Sequence, residues 1–238
     1  MHVLHCDNHL IIAYKPAGVP VQADESGDLD LLSRARRWIE VEFHKPGKAF
    51  IGLVHRLDRP ARGLVALART SKGAARLSEQ FRSRSVTKRY QAVVRGVPSQ
   101  AQGELRDWLV SDDKGSRVVA PGQGAESALF YRVAEVRQGC ARLEIDLLTG
   151  RKHQIRVQLA SRGWPILGDL RYGGLAVRAG GQAVEPLADR SIALLAWQLE
   201  LDHPTRPERL SFEAPLPPGW PWAPDERAVL SQWLADAT

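Results

Sequence analysis

The feature that most constrains the fold is a series of short apolar, β-rich segments separated by turns and by helical patterns. Residues 51–54 and 64–68 are two such segments, and they enclose the polar loop 55–62. Their length and their Val, Ile and Leu content predict two strands around an exposed loop. By the same criteria, further strands are predicted at residues 9–14, 90–94, 141–147 and 192–201.

Helical patterns occur irregularly among these strands. A helix with an acidic start is predicted over residues 28–43, and a second is predicted after a cap at Thr70 or Ser71. A third follows the 149–150 turn, with Ile155 and Leu159 on one face. Because strands and helices are interspersed without a strict β-α-β repeat, the sequence predicts an α+β fold. Its central sheet is expected to be mixed, mostly antiparallel and flanked by helices.

Three other stretches are predicted from their composition. Residues 97–125 are rich in Gly, Ser, Gln and Asp and are expected to form loops and short strands. The glycine-rich residues 169–190 are expected to form a loop. A terminal helix is expected from Asp225, with Val229 and Trp233 on its apolar face.

The chain of 238 residues can bury one substantial core. It contains no internal repeat and no low-complexity linker, so one domain over residues 1–238 is expected. No apolar run approaches the roughly 20 residues that span a bilayer, and the first residues lack the pattern of an export signal. The two cysteines are too few for a disulfide framework. These features predict a cytoplasmic protein.

Positive charge is concentrated in one part of the chain. The formal charge of the whole chain is +6, whereas residues 55–96 carry eleven Lys or Arg against Asp58 and Glu79, a net charge of +9. A localised field of this sign is typical of a protein that binds a phosphate backbone. On charge alone, an arginine-rich solvated face is an equally good interpretation.

Asp58 is the candidate for chemistry in the loop 55–62. It has His55, Arg56 and Arg59 as close neighbours in sequence, and nearby cations favour its ionised form. An ionised, oriented carboxylate can act as a nucleophile or stabilise an oxocarbenium-like centre at a sugar carbon. The structural alternative is an aspartate that only bridges arginines at the end of a strand.

Four segments carry a resemblance to a known family. They read Lys-Pro-Ala-Gly at 15–18, His-Arg-Leu-Asp at 55–58, Lys-Arg-Tyr at 88–90 and Thr-Gly-Arg-Lys-His-Gln-Ile-Arg at 149–156. In this order they resemble the signatures of the RluA-like RNA pseudouridine synthases. The segments 165–169, 172–173, 203–204 and 215–217 also fit the family pattern.

One departure from the family pattern lies beside the Asp58 motif. Ala61-Arg62 replaces the family's usual Thr-Ser ahead of Gly63, which puts the local loop contacts and the choice of RNA target in question. Asp58 and Gly63 themselves are retained. The length of the sequence also predicts that the additional N-terminal RNA-binding domain of many relatives is not part of this chain.

The resemblance implies a pseudouridine synthase-type catalytic domain with a basic active-site cleft. The implied reaction is isomerisation of uridine to pseudouridine in structured rRNA or tRNA, by glycosidic bond cleavage, base rotation and C–C reattachment, without a cofactor or metal. Asp58 would be the catalytic carboxylate, Tyr90 would stack on the target uracil and help remove a proton from it, and Arg156 would pair with Asp58. Arg151 is a weaker candidate for that pairing. Apart from the resemblance, Tyr90 would be interpreted as an aromatic residue of the strand core.

RNA is the implied partner, and the protein is expected to be a monomer without an obligate protein partner or a membrane association. The residues expected to contact RNA are Arg56, Arg59, Arg62, Arg82, Arg84, Lys88, Arg89, Arg151 and His153. His153 is expected to form hydrogen bonds within the site.

Three other interpretations are weighed against this one. A catalytically silent RNA-binding factor would be expected to have lost Asp58, Tyr90 or Arg156, and all three are present. A base-releasing hydrolase would normally need a second carboxylate to activate water, and no acidic residue neighbours Asp58 in sequence. A metal site at His2, His5, Cys6 and His9 is disfavoured because a strand would place these side chains on both of its faces.

Overall fold

The computed structural model describes residues 1–44, 46–137, 139–173, 176–177, 183–184, 191–217 and 220. The predicted terminal helix from Asp225 lies outside these residues, as does most of the predicted loop 169–190. No helix in the described ranges is long and apolar enough to cross a membrane. In chain order the elements are β1 (His2–Cys6), β2 (Leu10–Lys15), α1 (Leu31–Glu42), β3 (Gly52–Leu53), β4 (Arg62–Ala68), α2 (Ser71–Ser83), β5 (Thr87–Arg95), β6 (Gln102–Asp112), β7 (Gly115–Val119), β8 (Ala125–Arg137), β9 (Cys140–Leu147), α3 (Gln154–Ala160), a 3₁₀ turn (Leu170–Tyr172), β10 (Ala176–Val177), β11 (Ala183–Val184), β12 (Leu194–Asp202) and β13 (Arg209–Glu213).

The chain divides into two compact units. Unit 1 contains residues 1–87 and 196–214, and unit 2 contains residues 88–195 and the described residues from 215 onward. Each unit combines helices with paired strands, so the predicted α+β class is confirmed.

In unit 1, two apolar strands form the centre of the sheet. β2 pairs antiparallel with β4, with Ile12 opposite Ala66, and β1 pairs with β2 on the other side. Residues 10–13 and 65–68 are fully buried, which explains why both strands are continuous apolar runs rather than alternating patterns. β3 pairs with β4, and β12 lies beside β4 and pairs with β13.

The two predicted helices of unit 1 begin where their capping residues place them. The Asp30 side chain accepts a hydrogen bond from the Ser33 amide at the start of α1, and Thr70 accepts one from Gly73 at the start of α2. These bonds satisfy amides that have no partner within the helix. α1 buries Leu31, Ala35 and Ile39, which lie four residues apart on one face.

The turn between β1 and β2 is held by the carboxylate of Asp7. Its Oδ1 accepts hydrogen bonds from the amides of His9 and Leu10, at 2.8 and 2.9 Å. Its Oδ2 lies 2.7 Å from His203 Nε2 and 3.2 Å from His5 Nε2. Burial alone would raise the pKa of Asp7, but these hydrogen bonds outweigh it and lower the pKa well below its usual value.

Unit 2 is built on an antiparallel sheet in the order β5-β9-β8-β6-β7. The prediction of loops and short strands over 97–125 was wrong for β6, which spans eleven residues and forms a hairpin with the short strand β7. Residues 97–125 are polar for a different reason than loop formation. In β6, Leu105, Asp107 and Leu109 are buried while Glu104 and Arg106 are exposed, so half of the strand faces solvent.

Candidate active site

The loop that carries Asp58 connects β3 to β4 in unit 1, as predicted. Leu57 and Ala61 are buried on either side of it, and the Ala61 amide donates to the Asp58 carbonyl at 3.1 Å to close a turn. The Asp58 side chain is half-buried at this turn. The turn therefore holds the backbone of Asp58 while the carboxylate keeps some exposure.

Lys15, the last residue of β2, is buried against this loop, and its side chain has no exposed surface. Its Nζ donates to the carbonyl oxygens of Pro16 at 3.0 Å, Val19 at 2.9 Å, Arg59 at 3.0 Å and Ala61 at 2.7 Å. An ammonium group has three protons, so the four oxygens share them. The bonds join the segment 16–19 to the segment 59–61, which directly follows Asp58.

Burial and the negative charge of Asp58 shift the pKa of Lys15 in opposite directions. Burial lowers the pKa of Lys15 to about 7, while the negative charge of Asp58 raises it. The four carbonyl acceptors also favour the protonated amine. Burial likewise raises the pKa of the neighbouring Tyr14 to about 12. The role of Lys15 was missed from the sequence, in which a Lys-Pro pair indicates only a turn.

The arginines around Asp58 have different surroundings. Arg59 donates from Nε to the Gly18 carbonyl at 2.8 Å and forms ion pairs with Asp24 and Asp28. An RNA phosphate would have to displace these carboxylates to reach Arg59. Arg56 is exposed and Arg62 is half-buried.

His55 is fixed by contacts within unit 1. Its Nε2 accepts a hydrogen bond from the Ala66 amide at 2.9 Å, and its ring stacks on Phe81 of α2 with centroids 4.3 Å apart. An acceptor role for Nε2 places the ring proton on Nδ1. The imidazole thus joins β4 to α2.

The predicted RNA contacts at the end of α2 are exposed. Arg82 forms an ion pair with Glu79 one turn earlier in the helix, with 72% of its side chain exposed. Arg84 ends the helix in the left-handed region, at φ 62°. An exposed pair of this kind contributes little to stability, so both arginines can meet a phosphate at low cost.

In unit 2, three of the predicted site residues lie on β5, where successive side chains point to opposite faces of the sheet. Tyr90 lies opposite Ile145, which lies opposite Tyr131, and all three are buried on the face that α3 covers. Lys88 is two residues before Tyr90 and shares its face. Arg89 lies on the opposite face, where it forms an ion pair with Asp146 at 2.9 Å. Lys88 and Arg89 therefore cannot act from the same side of this strand.

The turn that leads into α3 is fixed by a buried glutamine. Gln154 Oε1 accepts from the Thr149 hydroxyl at 2.7 Å and from the Arg151 amide at 3.0 Å. Gly150 lies close to the ammonium of Lys88, because a Cβ added there would be 3.5 Å from Nζ. The structure thus brings Lys88, from β5, to the same turn as Arg151.

Arg156 is almost fully buried in α3, and its guanidinium pairs with Asp169. Nε donates to Asp169 Oδ2 at 2.7 Å and Nη2 to Oδ1 at 2.9 Å. Sequence reasoning missed this partner, although the matching segment 165–169 contains it. His153 caps α3 in the left-handed region at φ 54°, and its Nδ1 lies 2.9 Å from the Tyr172 hydroxyl.

Asp58 thus belongs to unit 1, while Tyr90 and Arg156 belong to unit 2. The pairing of Asp58 with Arg156 and the RNA contacts stay predictions. Among the described residues, no group of three or more His, Cys, Asp or Glu side chains is arranged to hold a metal ion.

Comparison with known proteins covers most of the chain. The family model for RNA pseudouridylate synthase matches residues 9–161, a range that includes Asp58, Tyr90 and Arg156. Ribosomal large subunit pseudouridine synthase D of Pseudomonas aeruginosa is 31% identical over 93% of this chain and 70% of that protein. Dual-specificity RNA pseudouridine synthase RluA of Escherichia coli O6:H1 is 32% identical over 90% of this chain and 92% of that protein. The solved structure of human RNA pseudouridylate synthase domain containing 4 matches with a TM-score of 0.75 at 28% identity, covering 92% of this chain and 90% of that chain.

Proposed function

The chain belongs to the RNA pseudouridylate synthase family and is an RluA-like RNA pseudouridine synthase, and from this premise we propose that Asp58 is its catalytic carboxylate. The reaction converts uridine to pseudouridine in RNA. The bond between N1 of uracil and C1′ of ribose breaks, and a bond between C5 and C1′ forms. The proton on C5 leaves, and N1 becomes protonated, so the product is an isomer of the substrate. Asp58 attacks C1′ or stabilises its positive charge while the base turns.

The observation that carries this proposal is the way the Asp58 loop is held. A half-buried carboxylate follows a buried leucine and precedes backbone carbonyls that bind the Lys15 ammonium. Such a loop limits the motion of the carboxylate before substrate binds. Pre-organisation of this kind lowers the barrier to reaction because less reordering is needed in the transition state.

Tyr90 and Arg156 complete the proposed site. Tyr90 stacks on the target uracil and assists removal of the C5 proton, and Arg156 pairs with Asp58 and keeps it ionised. Both side chains are buried, which disfavours contact with the RNA backbone. The target base must be unpaired or extruded from its helix to reach them.

We propose that exposed arginines contact the phosphates of the RNA backbone. The predicted contacts that are exposed, and therefore best placed, are Arg56, Arg82, Arg84, Arg89 and Arg151. Two relatives support the choice of RNA, since one is named for the large ribosomal subunit and the other for dual specificity. We propose ribosomal or transfer RNA as the substrate, in the cytoplasm, for a protein that acts as a monomer.

The test of Asp58 is pseudouridine mapping in cells together with a single-turnover assay. RNA from a strain that lacks the protein should lose pseudouridine at specific sites, and wild type but not Asp58→Asn should restore it. Purified Asp58→Asn should bind unmodified ribosomal RNA with wild-type affinity and release no tritium from carbon 5 of labelled uridine. Glu25→Gln, at an exposed carboxylate of the same unit, is the control and should be fully active. Activity in Asp58→Asn would remove Asp58 from its role, and RNA binding without any lost site would favour a silent RNA-binding factor.

The basic end of α2 is tested through the salt dependence of RNA binding. Reversal of both Arg82 and Arg84 to Glu should weaken binding and reduce the slope of log K against log salt by about 1.4–1.8, since each phosphate contact contributes about 0.7–0.9. Arg37→Glu, at an exposed position on α1, tests the effect of charge alone. If the control and the double variant have the same slope, the RNA backbone does not contact the end of α2.

A further inference from the structure

The segment 165–173 of unit 2 is fixed on the strand that carries Tyr90. The Leu167 amide donates to the Val93 carbonyl at 2.9 Å, and the Arg95 amide donates to Pro165 at 2.9 Å. Gly168 adopts φ 82°, and a Cβ there would lie 2.6 Å from the Ser191 carbonyl oxygen. Only glycine tolerates both this positive φ and this close approach to a carbonyl oxygen. The chain reverses at Gly168, and the next residue, Asp169, lies in the interior.

Asp169 is 1% exposed and Arg156 is 4% exposed, so the charges of their ion pair are removed from water. The carboxylate engages the Nε–Nη2 edge of the guanidinium with two parallel bonds. A two-bond contact fixes the plane and the rotation of the guanidinium, which a single bond would leave variable. A guanidinium has a second edge, formed by Nη1 and Nη2, whose direction is set once the first edge is held.

Tyr172 adds a second restraint, three residues after Asp169. The carbon at the centre of the Arg156 guanidinium lies 5.1 Å from the centroid of the Tyr172 ring, within the range of a cation–π contact. The Tyr172 hydroxyl accepts the Ser116 amide at 2.8 Å and lies 2.9 Å from His153 Nδ1. One side chain thus contacts Arg156, the cap of α3 and the β6–β7 hairpin.

The hairpin is tied to the same place by further bonds. The Ser116 hydroxyl donates to the Lys152 carbonyl at 2.5 Å, and Lys152 Nζ donates to the Asp112 carbonyl at 2.7 Å. Arg171 Nη1 donates to the Lys114 carbonyl at 2.5 Å. The turn before α3 is therefore supported from the segment 165–173 and from the hairpin tip 112–116 at once.

We propose that Asp169 and Tyr172 are positioning residues for the isomerisation, which set the orientation of Arg156 and of His153 before RNA binds. This inference rests on the proposed function, because Arg156 acts there on the catalytic carboxylate. Asp169 fixes one edge of the guanidinium and so aims the other. Tyr172 fixes the ring of His153 and the distance between the hairpin and α3.

The test separates positioning from binding and from folding. Asp169→Asn replaces one acceptor oxygen by an NH₂ group, which would face a guanidinium N–H and turn the guanidinium away. We expect the single-turnover rate of tritium release from carbon 5 of uridine to fall about 100-fold, with an unchanged Kd for the same unmodified ribosomal RNA. Tyr172→Phe keeps the ring and removes the hydroxyl bonds, and its rate should fall about tenfold.

Asp107→Asn is the matched control. Asp107 is also buried in unit 2 and also binds an arginine, since Arg162 Nη1 lies 2.6 Å from its Oδ2. The control should lose thermal stability to a similar extent and keep its rate. Equal losses of rate in Asp107→Asn and Asp169→Asn would overturn the proposal, as would a weaker Kd with an unchanged rate at saturation.

The double variant decides whether Asp169 acts through Arg156. Arg156→Gln should be as slow as Asp169→Asn or slower, and adding Asp169→Asn to it should cause no further loss of rate. If the rate losses of the two single variants multiply in the double variant, Asp169 does not act through Arg156 and the proposal is overturned. A fully active Arg156→Gln would instead refute the role of Arg156 in the proposed function. If Asp169→Asn fails to fold, Tyr172→Phe carries the test, and a wild-type rate in that variant overturns the proposal.

Discussion

Replacement of Lys15 by methionine tests the bonds that hold the Asp58 loop. Methionine fills a similar volume without donating, so the Pro16, Val19 and Ala61 carbonyls lose the ammonium bond, whereas the Arg59 carbonyl keeps the Gly18 amide at 2.9 Å. A buried carbonyl left without its bond costs about 1–3 kcal/mol. Pro16 and Val19 are only half-buried and can recruit water, which places the total near 3–5 kcal/mol.

That loss is a large part of the roughly 5–15 kcal/mol by which a folded chain of this kind is stable. A chain of this length loses about 2–4 °C of melting temperature per kcal/mol, so Lys15→Met should melt about 6–20 °C below the wild type. Scanning calorimetry measures the shift. The tritium-release assay, run well below the melting temperature of the variant, should show a lower rate because the Asp58 loop is no longer held.

Lys48→Met is the control, since Lys48 is an exposed lysine of the same unit. It removes the same charge and should melt within about 1 °C of the wild type. A Lys15→Met protein that also melts within about 2 °C of the wild type, with an unchanged rate, would refute the reasoning. The four carbonyl oxygens would then be satisfied by other means.

Two further predictions concern unit 1. The folded-state pKa of Asp7 lies below its ordinary value of 3.8, so the stability that its carboxylate contributes is present above that pH and is lost as the pH falls through the folded pKa. The difference in unfolding free energy between wild type and Asp7→Asn, measured in urea, should therefore shrink below about pH 4. A difference that stays constant with pH would contradict the assignment. Gly63→Ala should destabilise by more than about 3 kcal/mol, because Gly63 has φ 119° and a Cβ there would lie 2.2 Å from the Ala196 carbonyl oxygen. Gly27→Ala, at φ 73° with nothing within 4 Å, separates strain from collision, and equal melting temperatures for the two variants would exclude the collision.

The parts of the fold that follow from local rules could be predicted. The cap at Thr70, the apolar runs of β2 and β4 and the polar loop between β3 and β4 all depend on neighbours in sequence, whereas α1 begins at Leu31 after its cap Asp30 rather than at the predicted residue 28. The hairpin β6–β7 could not, because its exposed positions carry Ser, Gln and Asp, which also occur in loops. Cross-strand pairing, rather than local preference, makes those residues extended.

The candidate residues for the chemistry were proposed from the motifs, and their catalytic roles stay predictions, whereas the contacts that hold their side chains could not be predicted. Arg156 and Asp169 are thirteen residues apart and meet through a helix and a reversed chain. Lys15 meets the carbonyl of Ala61 across a separation of 46 residues. Such contacts depend on tertiary packing, so the sequence indicates which residue types are present without indicating which of them meet.

The alternation of β5 has a consequence for how this protein can change over time. Arg89 and its partner Asp146 lie on one face of the sheet, and Tyr90 and Ile145 lie on the other. Two adjacent residues therefore meet different physical demands, since Arg89 is exposed and Tyr90 must fit the shape of the interior. Substitutions can accumulate on the outer face while the inner face is retained, and an insertion of a single residue would exchange the two.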